Sequence, residues 1–150
     1  MLNGALTLGT MDGANVEIAE LAGAKNIYTF GKDSESIIKL YETAGYVSKD
    51  YYEKDKYIKR AVDFILDSTL VKLGNKTRLK RLHDELLNKD WFMTLIDFDA
   101  YVKAKEHILA DYEDQDSWNR KVIHNIAKAG FFSSDRTIAQ YNADIWHCED

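Results

Sequence analysis

Apolar positions follow two regimes along the chain, short runs closed by glycines at the start and helical spacing afterwards. Residues 5–8 (Ala5, Leu6, Thr7, Leu8) lie between Gly4 and Gly9 and are too short for a helix. They fit a parallel strand buried on both faces. Residues 10–13 then read as a turn. Ala14, Ile18, Leu21 and Ala22 recur at helical spacing, with Gly23 where a helix C-cap belongs. Residues 26–30 form a second strand-like run closed by Gly31, which completes a β-α-β unit. Five of the eight glycines fall in this opening segment, the mark of a backbone that turns sharply or approaches something closely. A lone β-α-β unit is not a stable sheet, because parallel strands need neighbours and helical cover. Further strands are therefore expected from outside this chain, whose first residues read as the middle of a pattern.

The rest of the pattern predicts helices. Asp33 or Ser34 can cap a helix carrying Ile37, Ile38, Leu40 and Tyr41 that stops near Gly45. Ser48 is expected to cap a short aromatic turn with Tyr51 and Tyr52. Ile58, Val62 and Ile65 predict a longer helix fading over residues 69–74, and Leu79, Leu82 and Leu86 predict another with Arg78, Lys80 and Arg81 on its opposite face. Residues 91–96, the most hydrophobic window, read equally as an extended link or a brief strand. Asp97 or Asp99 can cap a helix running to about Tyr112, and the acidic stretch 113–116 ends it and caps the next. There Trp118, Val122 and Ile126 form a stripe, widened by Ile123 and Ala127, that stops at Gly130. Phe131 and Phe132 are expected to plug a last, serine-capped helix (Ile138, Tyr141, Ile145) into the core.

Composition narrows the function. A chain of 150 residues, 45% hydrophobic, is long enough for one domain with a sizeable core. Its 25 acidic and 20 basic side chains, net −5, are interspersed, so neither nucleic acid nor an anionic membrane is an expected partner. No apolar run is long enough for a membrane helix, no signal peptide is recognisable, and the lone Cys148 cannot close an internal disulfide. A cytoplasmic location is expected.

Candidate chemistry is sparse. The glycine turn 9–13 between strand and helix can serve as plain structure or place backbone amides against an anion, but it is neither G-x-G-x-x-G nor a P-loop. His83, His107, His124 and His147 lack metal-ligand spacing, and Glu113, Asp114 and Asp116 lack the EF-hand order. Neither Cys148 nor any serine sits in a recognisable nucleophile motif. The residues alone yield an edge of an α/β domain with a helical tail and no complete active site.

The segment Met1-Leu2-Asn3-Gly4-Ala5-Leu6-Thr7-Leu8-Gly9-Thr10-Met11-Asp12-Gly13-Ala14-Asn15-Val16-Glu17 closely resembles a signature of the α-glucan phosphorylases, the glycogen, starch and maltodextrin phosphorylases. Phe132-Ser133-Ser134-Asp135-Arg136-Thr137-Ile138-Ala139-Gln140-Tyr141, with Ile145-Trp146, resembles the family's closing signature. Phe30-Gly31, Gly45-Tyr46 before Tyr51-Tyr52, the segment 97–101, and Trp118, Ile123 and Asn125 match collinearly between them. The resemblance implies the C-terminal part of the second Rossmann-like domain, of glycosyltransferase-B type, of a much longer and commonly homodimeric enzyme, mostly α by content. Residues 1–31 would be strand-turn-helix-strand and 32–150 the helical portion.

By the same resemblance the parent uses phosphate to release glucose 1-phosphate from the end of an α-1,4-glucan. It carries pyridoxal phosphate on a lysine expected just before Met1, and the cofactor's phosphate serves as acid/base partner of inorganic phosphate. No catalytic, cofactor-binding or metal-binding residue is assigned here, and no cofactor is expected on this chain alone, which should be inactive. Asn3, Gly4, Thr10, Asp12, Gly13, Asn15 and Glu17 are expected to support the cofactor-bearing helix against the sheet. Two rivals remain: a free-standing helical module binding a partner through residues 5–8 and Phe131-Phe132, and an unrelated nucleotide-binding protein using the turn 9–13, which lacks the usual fingerprint.

Overall fold

The computed structural model describes residues 1–148, and the chain divides into two compact units. One joins Met1–Thr29 to Lys105–Asp150, and the other is Phe30–Ala104. No helix among the described residues is long and apolar enough to cross a membrane.

The first unit contains the β-α-β element. Strand β1 (Leu8–Gly9) pairs in parallel with β2 (Tyr28–Thr29), Leu8 opposite Tyr28 and Gly9 opposite Thr29, and helix α1 (Ala14–Ala22) connects them. The strands are shorter than the hydrophobic runs. Ala5 is exposed, Leu6 to Leu8 are half-buried, and Ala24–Asn26 is a 3₁₀ turn. An apolar run reports a tendency to be buried, but a ladder grows only as far as a partner strand runs beside it. One further bond, Tyr28 N–H to the Thr7 carbonyl at 2.9 Å, continues the pairing toward residues 5–7.

The chain returns to this unit within α7 (Phe98–Glu113). Asp114 then caps α8 (Gln115–Lys128), accepting from Ser117 N–H at 3.1 Å. Helix α8 packs on α1 and on the 3₁₀ turn before β2. Its inward side differs from the sequence reading: Ile123 is 66% exposed, whereas Asn125 is completely buried. Helix α9 (Ser134–Tyr141) begins at the predicted serine cap, Ser133 accepting from Arg136 N–H, and passes into one π-helical turn, Asn142–Trp146. The aromatic pair before it does not plug a core. Phe131 and Phe132 are each more than a third exposed, stack edge to face on one another, and Phe131 lies under the Arg136 guanidinium.

The second unit is all-helical: α2 (Ser34–Glu42), α3 (Ser48–Lys54), α4 (Lys56–Phe64), α5 (Ser68–Leu73) and α6 (Lys76–Asn88), with the start of α7. Asp33, Asp55, Asp67 and Asn75 each accept a backbone N–H at a helix start, so local side-chain chemistry sets those boundaries. The cap at Asp67 starts a separate helix where the sequence predicted one fading helix. Ile58, Val62 and Leu95 form the core, with Tyr51, Tyr52, Leu87 and Phe98 against it.

Three details correct the sequence reading here. Ser48 does not cap α3: it is buried, and its hydroxyl donates to the Leu87 carbonyl at 2.8 Å, so Val47 occupies the cap. Neither Asp97 nor Asp99 caps α7: the 3₁₀ turn Thr94–Asp97 runs directly into the helix, Asp99 lies in its first turn, and the Asp97 carboxylate accepts from Lys32 N–H at 3.1 Å. Residues 91–96 are neither strand nor extended link. Asp90 and Met93 are left-handed (φ 36° and 50°), and a 3₁₀ turn, Thr94–Asp97, follows. The buried Asp90 carboxylate organises this turn by accepting from Leu95 N–H and the Tyr46 hydroxyl. Burial, then the Asp90 carboxylate, pushes the Tyr46 phenol well above its ordinary range.

Asp90→Ala orphans a buried backbone N–H and a half-buried phenol. It is expected to cost about 1–3 kcal/mol in urea denaturation of the chain. Trp91→Ser, at a side chain 65% exposed, should stay within about 0.5 kcal/mol of the parent.

Candidate functional site

The glycine turn is built by local hydrogen bonds. The Thr10 carbonyl accepts from Asp12 N–H at 2.9 Å and from the Asn15 side-chain amide at 2.8 Å, while the Asp12 carbonyl accepts from Asn15 N–H. The Asn15 amide crosses the turn over Gly9, where an added Cβ would lie 2.4 Å from Asn15 Nδ2. A side chain at this position would push that amide off the Thr10 carbonyl. Gly13 then opens α1 with φ 47° and ψ −136°, a conformation essentially restricted to glycine, and makes no side-chain cap.

Of the positions singled out from the sequence, Thr10, Asp12, Gly13 and Asn15 come together in this turn. Gly4 lies apart, at φ 76° against α8, where a Cβ would meet Val122 Cγ1 at 3.0 Å. Asn3 and Glu17 are exposed, and among the described residues neither side chain makes a hydrogen bond.

Behind β2 lies a polar cluster that pattern reading did not find. The Tyr28 hydroxyl donates to Asp111 Oδ2 at 2.8 Å. Lys121 Nζ donates to that hydroxyl at 2.9 Å and also to Asp111. Trp118 stacks on the Tyr28 ring and His107 meets it edge-on. The hydrogen bond from Lys121, then that from Tyr28, holds the Asp111 carboxyl below its ordinary value. Burial pushes the Tyr28 phenol up. Burial alone would lower Lys121, but its bonds to Asp111 and Tyr28 outweigh it and raise the ammonium. Lys121 is therefore a protonated tie rather than a nucleophile.

One turn along α8, the Asn125 amide donates to the Asn26 carbonyl at 2.8 Å and to the Lys121 carbonyl at 2.9 Å. Its Oδ1 is the buried side-chain atom without a partner among the described residues. The sequence signal for these residues was a polar side chain interrupting an apolar helix face, Lys121 and Asn125 between Trp118 and Ala129. That signal names no partner.

Chemically, the arrangement ties backbone segments together through side-chain hydrogen bonds. No group of three or more His, Cys, Asp or Glu among the described residues is placed to hold a metal ion. The first unit is a discontinuous strand-turn-helix element closed by polar ties to α7 and α8.

This element is embedded in a chain whose residues 1–148 match the family model described as carbohydrate phosphorylase, and the chain belongs to that family. It is 65% identical over 147 residues to the maltodextrin phosphorylase of Streptococcus pneumoniae, covering 98% of this chain and 19% of that protein. Identity to the glycogen phosphorylase of Bacillus subtilis is 42%, over 97% of this chain and 18% of the relative. For the liver form of bovine glycogen phosphorylase it is 45%, over 99% and 17%. The chain thus spans about a fifth of the length of the curated relatives it matches.

Proposed function

We infer that this chain is the C-terminal portion of an α-glucan phosphorylase. Its parent cleaves terminal α-1,4-linked glucose with phosphate and releases glucose 1-phosphate, in the cytoplasm and as a homodimer. The match to the phosphorylase model over residues 1–148 carries the reading. In this reading the chain completes a Rossmann-like domain, with residues 1–31 as its edge and 32–150 as its helical portion, and is inactive without the rest of the enzyme.

The turn and the cluster do not fit pyridoxal phosphate. The first lysine in the sequence is Lys25, beyond the turn, and Lys121 is held protonated by its tie to Asp111. In this reading the cofactor is carried by the part of the parent outside this chain. What this chain supplies is rigidity: the Gly9 and Gly13 backbone and the Asn15 amide fix the junction of strand and helix. Large apolar side chains left exposed, such as Leu2, Leu73 and Phe92, are then surface that the remaining four-fifths of the enzyme covers.

A chimera tests this. Replacing the matching 147 residues of the pneumococcal maltodextrin phosphorylase with this chain is expected to keep phosphorolysis of maltodextrin within about tenfold of the parent, an activation difference of ~1.4 kcal/mol. A folded chimera without phosphorolysis would overturn the reading.

A further inference from the structure

We propose that a half-open cavity of about 500 Å³ within Phe30–Ala104 binds a short stretch of neutral α-glucan chain. The proposal rests on the glucan reading above and adds a site to it.

The floor is apolar and fixed, for Ile58 and Leu95 are buried members of the core and Tyr51 packs against them. The rim carries the carboxylates of Asp50, Asp55 and Asp99. Asp55 uses Oδ1 to cap α4, leaving Oδ2 for a ligand. Among the described residues Asp99 has no ion-pair partner and the Tyr51 hydroxyl no hydrogen bond. Lys54, the one lining cation, is already paired with Asp50 at 3.3 Å.

Three carboxylates against one engaged ammonium repel phosphate, sugar phosphates and nucleotides. Carboxylate acceptors set above an apolar, partly aromatic floor match a pyranose ring, which presents C–H groups on its face and hydroxyl donors at its edge. The volume lies in the range that takes small molecules of disaccharide size. A cationic amine also suits an acidic rim, but it would leave the aromatic and aliphatic floor without purpose.

Maltoheptaose, spermidine and inorganic phosphate, each titrated into the full 150-residue chain and followed by amide NMR, test the site. Maltoheptaose is expected to give saturable shifts at residues 51, 58 and 99, with affinity at least fivefold lower in the double variant Asp99→Asn, Tyr51→Phe. Shifts with spermidine but none with maltoheptaose, or maltoheptaose shifts confined elsewhere, would overturn the proposal. Where the chain alone gives no resolved spectrum, the same double variant is placed in the phosphorylase chimera and its retardation in an amylose gel is read. A fall of at least twofold supports the site, and unchanged retardation overturns it. An active chimera without glucan binding at this cavity sinks the proposal and spares the reading of function. A folded, inactive chimera that binds glucan there does the reverse.

Discussion

Asp111→Leu is expected to destabilise the chain by about 2–3 kcal/mol, because it leaves Lys121 with a single neutral partner in a site where its side chain is only 18% exposed. A fully buried pair would lose more, about 3–5 kcal/mol, but both side chains keep some contact with water. For a chain of this size the loss corresponds to a fall in Tm of roughly 4–12 °C. Lys121→Met should cost less, since Asp111 keeps its bond from Tyr28 and is the more exposed partner. The double variant Asp111→Leu, Lys121→Met should recover part of the loss, an apolar pair standing in for the ion pair while the Tyr28 hydroxyl loses both its partners. Strictly additive losses would show that the two side chains do not act as a unit.

The same cluster sets a pH dependence. Asp111 titrates below its ordinary 3.8 in the folded chain, so its contribution is complete above that value and is lost as pH falls through the lower, folded pKa. Lys121 titrates above its ordinary 10.5, so its contribution is complete below that value and is lost as pH rises through the higher, folded pKa. A plot of Tm against pH should therefore be flat across the neutral range as far as this cluster is concerned and fall at both ends. The acid-side fall should be shallower in Asp111→Leu; an unchanged acid limb would remove the carboxylate from the explanation.

Gly13→Val is expected to cost about 1–3 kcal/mol, entirely through the backbone. No atom lies within 4 Å of the added Cβ position, so crowding contributes nothing, while φ 47° with ψ −136° is strained for any L side chain and most for a β-branched one. Urea denaturation of the chain measures the loss, and in the chimera the variant should lower the yield of active enzyme. Gly130→Ala is the matched control. It too has nothing within 4 Å and no positive φ, and should change stability by less than about 0.5 kcal/mol. Equal effects at the two positions would mean that the turn tolerates side chains and does not fix the junction.

Within the turn itself the sequence was informative. Gly9, Thr10, Asp12, Gly13 and Asn15 lie within seven consecutive residues, and their hydrogen bonds are local, so glycine and Asx chemistry was enough to expect a fixed bend. The same holds for the helix starts at Asp33, Asp114 and Ser133, where the capping bond spans three residues. Asn3 and Glu17 share the motif, but their side chains are exposed and make no hydrogen bond among the described residues.

By itself, then, the sequence determined the β-α-β order, the positions of most helices, several of their caps, and the family to which the chain belongs. Each of these depends on neighbours within a turn or two, or on an ordered string of residues. Tertiary structure decided which polar groups are buried and what they meet. Tyr28 finds Asp111 83 positions away, Asn26 finds Asn125 at a separation of 99, and Tyr46 finds Asp90 at 44. Periodicity says that a helix has an inner face, but a lysine or asparagine on that face is tolerable only where a distant segment supplies the matching group. For the same reason residues 91–96 form a turn rather than a strand or an extended link: the buried Asp90 carboxylate takes Leu95 N–H.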